Sequence, residues 1–174
     1  FYVNSKGHYA QSAMTRDMAA LQRMYGANHT TASGDTVYTF DSTTGQMMAT
    51  EGGISYQSDQ SSYVNNSGTQ VFTNVTFRTI WDGDGVDTYD LSNFSTDLLI
   101  DLTPGGYVDL DVGGNALRAR LNGGTASNGD GTYRYDANAI EYARGHVFNA
   151  LQHNADARSL IENAFGGTGN DILI

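Results

Sequence analysis

Gly166-Gly167-Thr168-Gly169-Asn170-Asp171-Ile172-Leu173-Ile174 is the stretch whose reading decides the fold. It fits the nonapeptide G-G-x-G-x-D-x-U-x at every fixed position, U being a large apolar residue. Calcium takes about six to eight oxygen ligands, and many of them can be backbone carbonyls. The glycines let the backbone curl so that its carbonyls point inward, and the aspartate supplies charge. The apolar residue that follows turns into the core as a short strand. This pattern nominates Gly167, Gly169 and Asp171 as calcium ligands and predicts the start of a parallel β-roll. A single nonapeptide cannot build such a roll, because each turn buries its face only against its neighbours. The terminal copy is therefore expected to be the first turn of a longer stack, with further repeats lost to truncation.

A degenerate relative lies upstream, Asp82-Gly83-Asp84-Gly85-Val86-Asp87-Thr88-Tyr89-Asp90. Gly83, Gly85, Asp87 and Tyr89 keep the spacing, while Asp82 replaces the first glycine. Carboxylates this dense repel one another unless a cation sits among them. An EF-hand does not fit, since its fifth position would be Val86 and its glycine position Asp87.

Around these loops the periodicity predicts mostly strands. Thr36–Phe40 is a short one, and residues 41–70 read as turns joining weak strands. Val71–Trp81 alternates as one long strand, with Val71, Thr73, Val75, Phe77, Thr79 and Trp81 on a shared face. Leu98–Leu102 and Tyr107–Val112 form a pair joined by a Pro104-Gly105-Gly106 turn. Asp109 and Asp111 alternate with Val108, Leu110 and Val112, which places both acids on a solvent face where replacing Asp109 would matter little. Residues 122–132 read as a long flexible loop, and 137–163 as either short strands or a broken helix. Residues 1–12 read as extended or loop-like. Met14, Met18, Leu21 and Tyr25 then recur at helical spacing as a core-facing stripe. Thr15 is the expected N-cap, Asp17 favours the helix dipole and Gly26 ends the helix.

Composition narrows the function. The 174 residues suffice for one domain with a core. Twenty-one glycines and one proline indicate tight turns, and 11 tyrosines favour strands. A net charge of −10 with nine basic residues argues against nucleic acid and anionic membranes. No apolar run is long enough to span a bilayer. The absence of cysteine excludes disulfides and thiolate sites. Both ends read as truncations: Phe1 follows no leader pattern, and Ile172-Leu173-Ile174 ends without a closing turn. None of His8, His29, His146 and His153 belongs to an H-E-x-x-H motif, and no Walker loop or G-x-S-x-G elbow is present.

Four segments carry a resemblance. Asp17-Met18-Ala19-Ala20-Leu21-Gln22-Arg23-Met24-Tyr25-Gly26-Ala27-Asn28 resembles "D-I-A-A-I-Q-x-L-Y-G-A-N" of the serralysins, repeats-in-toxin zinc metalloproteases of the metzincin clan. Gly34-Asp35-Thr36-Val37-Tyr38 is similar to their "G-D-T-V-Y". Trp81-Asp82 with Asp87-Thr88 resembles "W-D-x-G-G-x-D-T", and Ile161–Gly167 resembles "I-E-N-A-I-G-G". The matches run in family order over nearly the whole chain. The resemblance implies a mainly β fold, an N-terminal helix followed by a β-sandwich and the start of a calcium-stabilised parallel β-roll. It implies that residues 1–28 are the tail of a catalytic domain and 29–174 the C-terminal domain. It also implies calcium ligands: carbonyls of Gly34 and Thr36, a loop of Asp82, Asp84, Gly85 and Asp87, and Leu160 (carbonyl) with Glu162. Ala32 stands where the family often has Arg, Asp84 replaces a usual glycine, and Gly145–Ser159 looks inserted.

The expected function is thus the calcium-binding C-terminal domain of a secreted, extracellular zinc metalloendopeptidase, supporting its folding, secretion and stability. Its partners would be calcium ions and the catalytic domain of the same parent, which would hold the zinc and act on protein substrates. Without H-E-x-x-H-x-x-G-x-x-H, the chain should be inactive alone. The alternative is a non-enzymatic calcium-binding module of a repeats-in-toxin adhesin or another secreted protein. A third reading is a carbohydrate-binding β domain using Trp81 and the tyrosines.

Overall fold

Alternating apolar residues at Tyr38, Phe40, Tyr89, Leu98, Ile100, Val108, Leu110 and Val147 are buried together, and they lie between two sheets. These come from a computed structural model that describes residues 5–122, 124–130 and 133–174. The extended reading of residues 1–4 and the loop reading at Gly123, Gly131 and Thr132 fall outside the described residues. Burying each of the larger side chains stabilises the sandwich by about 2 kcal/mol.

In chain order the strands are Thr36–Phe40 (β1), Met47–Glu51 (β2), Ile54–Gln57 (β3), Ser62–Val64 (β4), Gln70–Phe72 (β5), Arg78–Ile80 (β6) and Thr88–Asp90 (β7). They continue with Leu99–Ile100 (β8), Tyr107–Asp109 (β9), Thr125–Ser127 (β10), Tyr133–Tyr135 (β11), Val147–Asn149 (β12), Asn163–Phe165 (β13) and Ile172–Leu173 (β14). One sheet has the order β13-β7-β1-β2-β3 and the other β14-β8-β9-β12-β6. The fold is mainly β, a sandwich preceded by one helix, Thr15–Tyr25 (α1).

The beginning of a parallel roll is visible in the register. β13 lies parallel on β7, pairing Asn163 with Thr88, and β14 lies parallel on β8, pairing Ile172 with Leu99. The later turn, Gly166–Asp171, is two residues shorter than Leu91–Leu98 beneath it. Glycine makes that compression possible. A Cβ at Gly167 or Gly169 would run into the carbonyls of Phe94 or Thr96. Between these two turns the chain leaves the roll and supplies β9 and β12 to the second sheet.

Several local expectations change. The helix has the predicted bounds, but Met14 occupies the N-cap position and its amide donates to the Asp17 carboxylate at 3.2 Å. Thr15 instead meets the Thr79 hydroxyl at 3.3 Å. The apolar stripe of α1 is not a core stripe within this chain, since no helix residue is buried and Tyr25 is 82% exposed. The single strand expected over Val71–Trp81 is broken, because Asn74 takes a left-handed backbone with φ of 50°. Only β5 and β6 remain, and they belong to different sheets. The expected flexible loop contains β10, paired antiparallel with β11. Residues 137–163 are short turns of 3-10 helix around the buried strand β12.

Asp109 is the largest correction. It is 8% exposed, not solvated, and forms an ion pair with Arg118. Fully buried His146 stands 3.4 Å from the same carboxylate, and its Nδ1 accepts the Leu110 amide at 2.9 Å. Burial favours the neutral acid, but hydrogen bonding to Arg118 and to the Asp111 amide, with the charge of Arg118, holds the carboxyl at about 2. Asp111 caps the following turn, accepting the Ala116 amide at 2.8 Å. Alternation placed these acids outward because it could not show the Arg118 guanidinium and the buried His146 ring brought against Asp109.

Candidate metal centre

The loop that joins β6 to β7 is laced against the segment preceding β1. Thr36, the first residue of β1, donates its amide to Asp87 Oδ1 at 2.8 Å. Asp35 Oδ1 accepts the Val86 amide at 3.0 Å. Gly85 has a φ of 125°, and a Cβ there would sit 2.6 Å from the Gly34 carbonyl oxygen. Glycine therefore lets the Gly34 carbonyl approach the loop closely, as a backbone-ligand cradle requires.

The carboxylates converge at the same place. Asp82 and Asp87 are 1% and 0% exposed. Asp82 Oδ2 accepts the Tyr38 hydroxyl at 2.7 Å and Oδ1 the Asp84 amide at 3.3 Å. Glu162, on the stacked turn above, accepts the Asp87 amide through Oε2 at 2.7 Å. The amides of Glu162 and Asn163 donate to the Asp87 carbonyl at 3.2 and 3.0 Å, tying the two turns together. Asp84 turns its own carboxylate to the Gly85 amide at 3.1 Å.

Asp87 Oδ2 is buried and meets no hydrogen-bond donor while the carboxyl is ionised; its neighbour is the Asp82 carboxylate, with which it can share a proton only when Asp87 is neutral. A buried carboxylate oxygen left in this state is costly. Burial pushes Asp87 up to about 8. The Thr36 amide pulls against that shift, while the charges of Asp82 and Glu162 add to it. Asp82 is pushed up to about 6, again mainly by burial. A cation would relieve the desolvation and the repulsion at once.

The donor set suits calcium better than a transition metal. Among the described residues no group of three His, Cys, Asp or Glu side chains forms an all-side-chain metal cluster. Here two buried aspartates meet main-chain oxygens and a glutamate, and hard oxygen donors of mixed origin are what calcium accepts. Of the residues predicted from sequence, Gly34, Thr36, Asp82, Asp84, Gly85, Asp87 and Glu162 lie in this cradle. Leu160 precedes Ile161-Glu162 and follows a short helical turn whose Ser159 hydroxyl is also buried and unpartnered.

Gly167, Gly169 and Asp171 do not join that cradle. Asp171 spends Oδ1 on the Leu98 amide at 3.0 Å and Oδ2 on the Gly167 amide at 2.8 Å. On the same turn, the Asn170 amide donates to Asp97 Oδ1 at 2.8 Å. Sequence reasoning gave His29 no role, though its Nδ1 lies 3.0 Å from the Gly83 carbonyl oxygen, and it quoted Trp81 without foreseeing that the indole donates to the Asn28 carbonyl at 2.8 Å. No helix among the described residues is long and apolar enough to cross a membrane.

Comparison with known proteins follows the same line. Residues 27–122 match the family model described as Peptidase M10 serralysin C terminal. The chain is 34% identical over 169 residues to Serralysin B of Dickeya chrysanthemi, covering 97% of this chain and 24% of that protein. It is 33% identical over 170 residues to the serralysin of Proteus mirabilis, covering 97% and 23%. Against the metalloprotease AprA of Pseudomonas entomophila it is 32% identical over 174 residues, covering 99% and 25%. The chain thus spans about a quarter of the length of the curated relatives it matches.

Proposed function

The chain belongs to the serralysin C-terminal family, and from that premise we propose that it is the calcium-binding C-terminal domain of a secreted zinc metalloendopeptidase, with residues 1–28 as the tail of the catalytic domain and 29–174 as the supporting domain. The observation that carries the reading is the buried, unpartnered Asp87 Oδ2 between Asp82 and Glu162. Asp82, Asp87 and Glu162 would hold the ion with carboxylates, and Gly34, Thr36, Gly85 and Leu160 with carbonyls. The bound ion would supply positive charge beside the two buried aspartates.

The chain's own residues account for the rest. Gly34 and Gly85 allow the backbones to approach, Tyr38 orients Asp82, and the Thr36 amide fixes one oxygen of Asp87. Where calcium is scarce, the loop's charges oppose closure. Millimolar calcium outside the cell would stabilise the native state by preferential binding, so folding would follow export. Supporting the protease is then a matter of holding this sandwich folded beside the catalytic domain, which would carry the zinc and the protein substrates.

The test is thermal unfolding of the chain in calcium and in EDTA, paired with titration calorimetry. Calcium at a hundredfold excess over its Kd should raise stability by about 2.7 kcal/mol. An unfolding midpoint indifferent to millimolar calcium would sink the reading.

A further inference from the structure

We propose that Asn28–Thr36 is a strap coupling calcium occupancy of the Asp82–Asp87 loop to the seating of the last turn of α1, with His29 and Trp81 as positioning residues. The inference rests on the calcium reading above. Strap and loop are joined by several contacts. Trp81 donates its indole N–H to the Asn28 carbonyl at 2.8 Å. His29 Nδ1 lies 3.0 Å from the Gly83 carbonyl oxygen. A carbonyl only accepts, so that ring nitrogen carries the proton. Gly83 donates its amide to Ala32 at 3.2 Å, and a Cβ on Gly83 would collide with the carbonyls of His29 and Thr31. The His29 and Trp81 rings sit 5.4 Å apart, and the far nitrogen of His29 is 3.7 Å from Asp156.

The helix hangs from this strap. It ends at Tyr25, just before Asn28, and buries none of its own residues within the chain. Its beginning is pinned elsewhere. Ser12 exchanges hydrogen bonds with the backbone of Thr79 at 2.8 and 3.1 Å, and Gln11 does the same with Phe77. One end of α1 is therefore held by β6 and its approach; the other leads through Asn28 to the loop that carries Asp82, Asp84 and Asp87, and the helix also touches the short turn His153–Ala155. Like charges splay that loop unless a cation holds it. A splayed loop withdraws the Gly83 carbonyl from His29 and the indole from Asn28. Calcium, binding the closed loop preferentially, shifts the population toward a seated helix end. By reciprocity the strap raises calcium affinity by the same factor.

Hydrogen exchange of the 174-residue chain in calcium and in EDTA reads this directly, with calorimetry run on the same samples. Calcium should slow exchange in peptides covering Leu21–Thr31 and leave Gln11–Asp17 unchanged. Trp81 is the only tryptophan, so its emission should shift with the same midpoint as the binding heat. His29→Phe keeps a ring against Trp81 but cannot donate to Gly83. It should raise the calcium Kd about fivefold and abolish the calcium effect on Leu21–Thr31. His29→Gln, which retains a donor, should recover part of both. Trp81→Phe, lacking the indole N–H, should speed exchange over Leu21–Thr31 even in calcium. Binding heat with no change over Leu21–Thr31, or wild-type affinity in His29→Phe, overturns the coupling while leaving the calcium reading intact. Absence of binding heat removes both.

Discussion

The two glycine- and aspartate-rich loops rank in opposite order by motif and by chemistry. Gly166–Ile174 satisfies every fixed position of the nonapeptide, yet both oxygens of Asp171 are already used by backbone amides. Asp82–Asp90 fits poorly, yet it buries two carboxylates and leaves Asp87 Oδ2 unpaired. The difference lies in what each loop stacks upon. Asp87 faces Glu162 across two parallel turns, so acid meets acid. Asp171 rests on the Leu91–Leu98 turn, where the Leu98 amide meets it. Fixed motif positions therefore report backbone shape first. The demand for a cation is set by the neighbouring turn.

Asp109 provides the third term of the comparison, a buried acid whose counter-ion lies within the chain. Asp109→Ala strands the Arg118 guanidinium, whose side chain is 10% exposed, and should cost about 3 kcal/mol whether or not calcium is present. Denaturant unfolding in calcium and in EDTA measures this. A loss that appears only in calcium would mean that Asp109 belongs to the metal system. The same residue sets a pH dependence. Its folded pKa of about 2 lies below the ordinary value of 3.8, so its stabilisation is present above that ordinary value. It should be lost as pH falls from about 5 toward 2, and Asp109→Ala should flatten that part of the stability profile.

Next in size is the calcium increment itself. Asp87→Ala should remove most of the roughly 2.7 kcal/mol that a hundredfold excess of calcium confers. In EDTA the same substitution should be mild or stabilising, because it deletes a buried, repelled carboxylate. Glu162→Ala should lose less, since Glu162 is exposed and its Oε2 is shared with the Asp87 amide. If Asp87→Ala were as damaging in EDTA as in calcium, the loop would be a structural hydrogen-bond hub and not a cation cradle.

Some of this was legible in the sequence, for identifiable reasons. Helix α1 declared itself through local spacing and Gly26, and its bounds agree with the structure. The pairing expected of Leu98–Leu102 with Tyr107–Val112 was readable, though it is shorter, Leu99–Ile100 with Tyr107–Asp109, because its Pro104-Gly105 turn is local: Gly106 donates to the Thr103 carbonyl at 2.8 Å. Asp82 and Asp87 were legible as a crowded local run of carboxylates, whereas Gly34 and Glu162 were reachable only through family resemblance, since nothing local links residues so far apart. The break at Asn74 was hidden because the alternation continues across it. Asp109 was misplaced for the same reason, as a period of two reports which residues share a face and not what waits on the other side. The exposed stripe of α1 shows the converse limit. Its spacing revealed an apolar face, and only the structure showed that this chain does not cover it.

The smallest effect on the calcium increment falls on the loop whose motif is complete. Asp171→Ala leaves the amides of Leu98 and Gly167 without acceptors. Leu98 is fully buried, so the cost should be about 1–3 kcal/mol. Asp171→Asn keeps one accepting oxygen, loses the other, and should cost less than Asp171→Ala. Neither substitution should alter the calcium increment of the chain, because Asp171 takes no part in the Asp87 cradle. Melting both variants in calcium and in EDTA gives four midpoints, and the calcium-induced shift should equal that of the unsubstituted chain. A reduced shift in Asp171→Ala would place a second cation at the Gly166–Asp171 turn and make the two loops equivalent after all. An unchanged shift keeps them distinct, one loop closed by amides and the other by a metal.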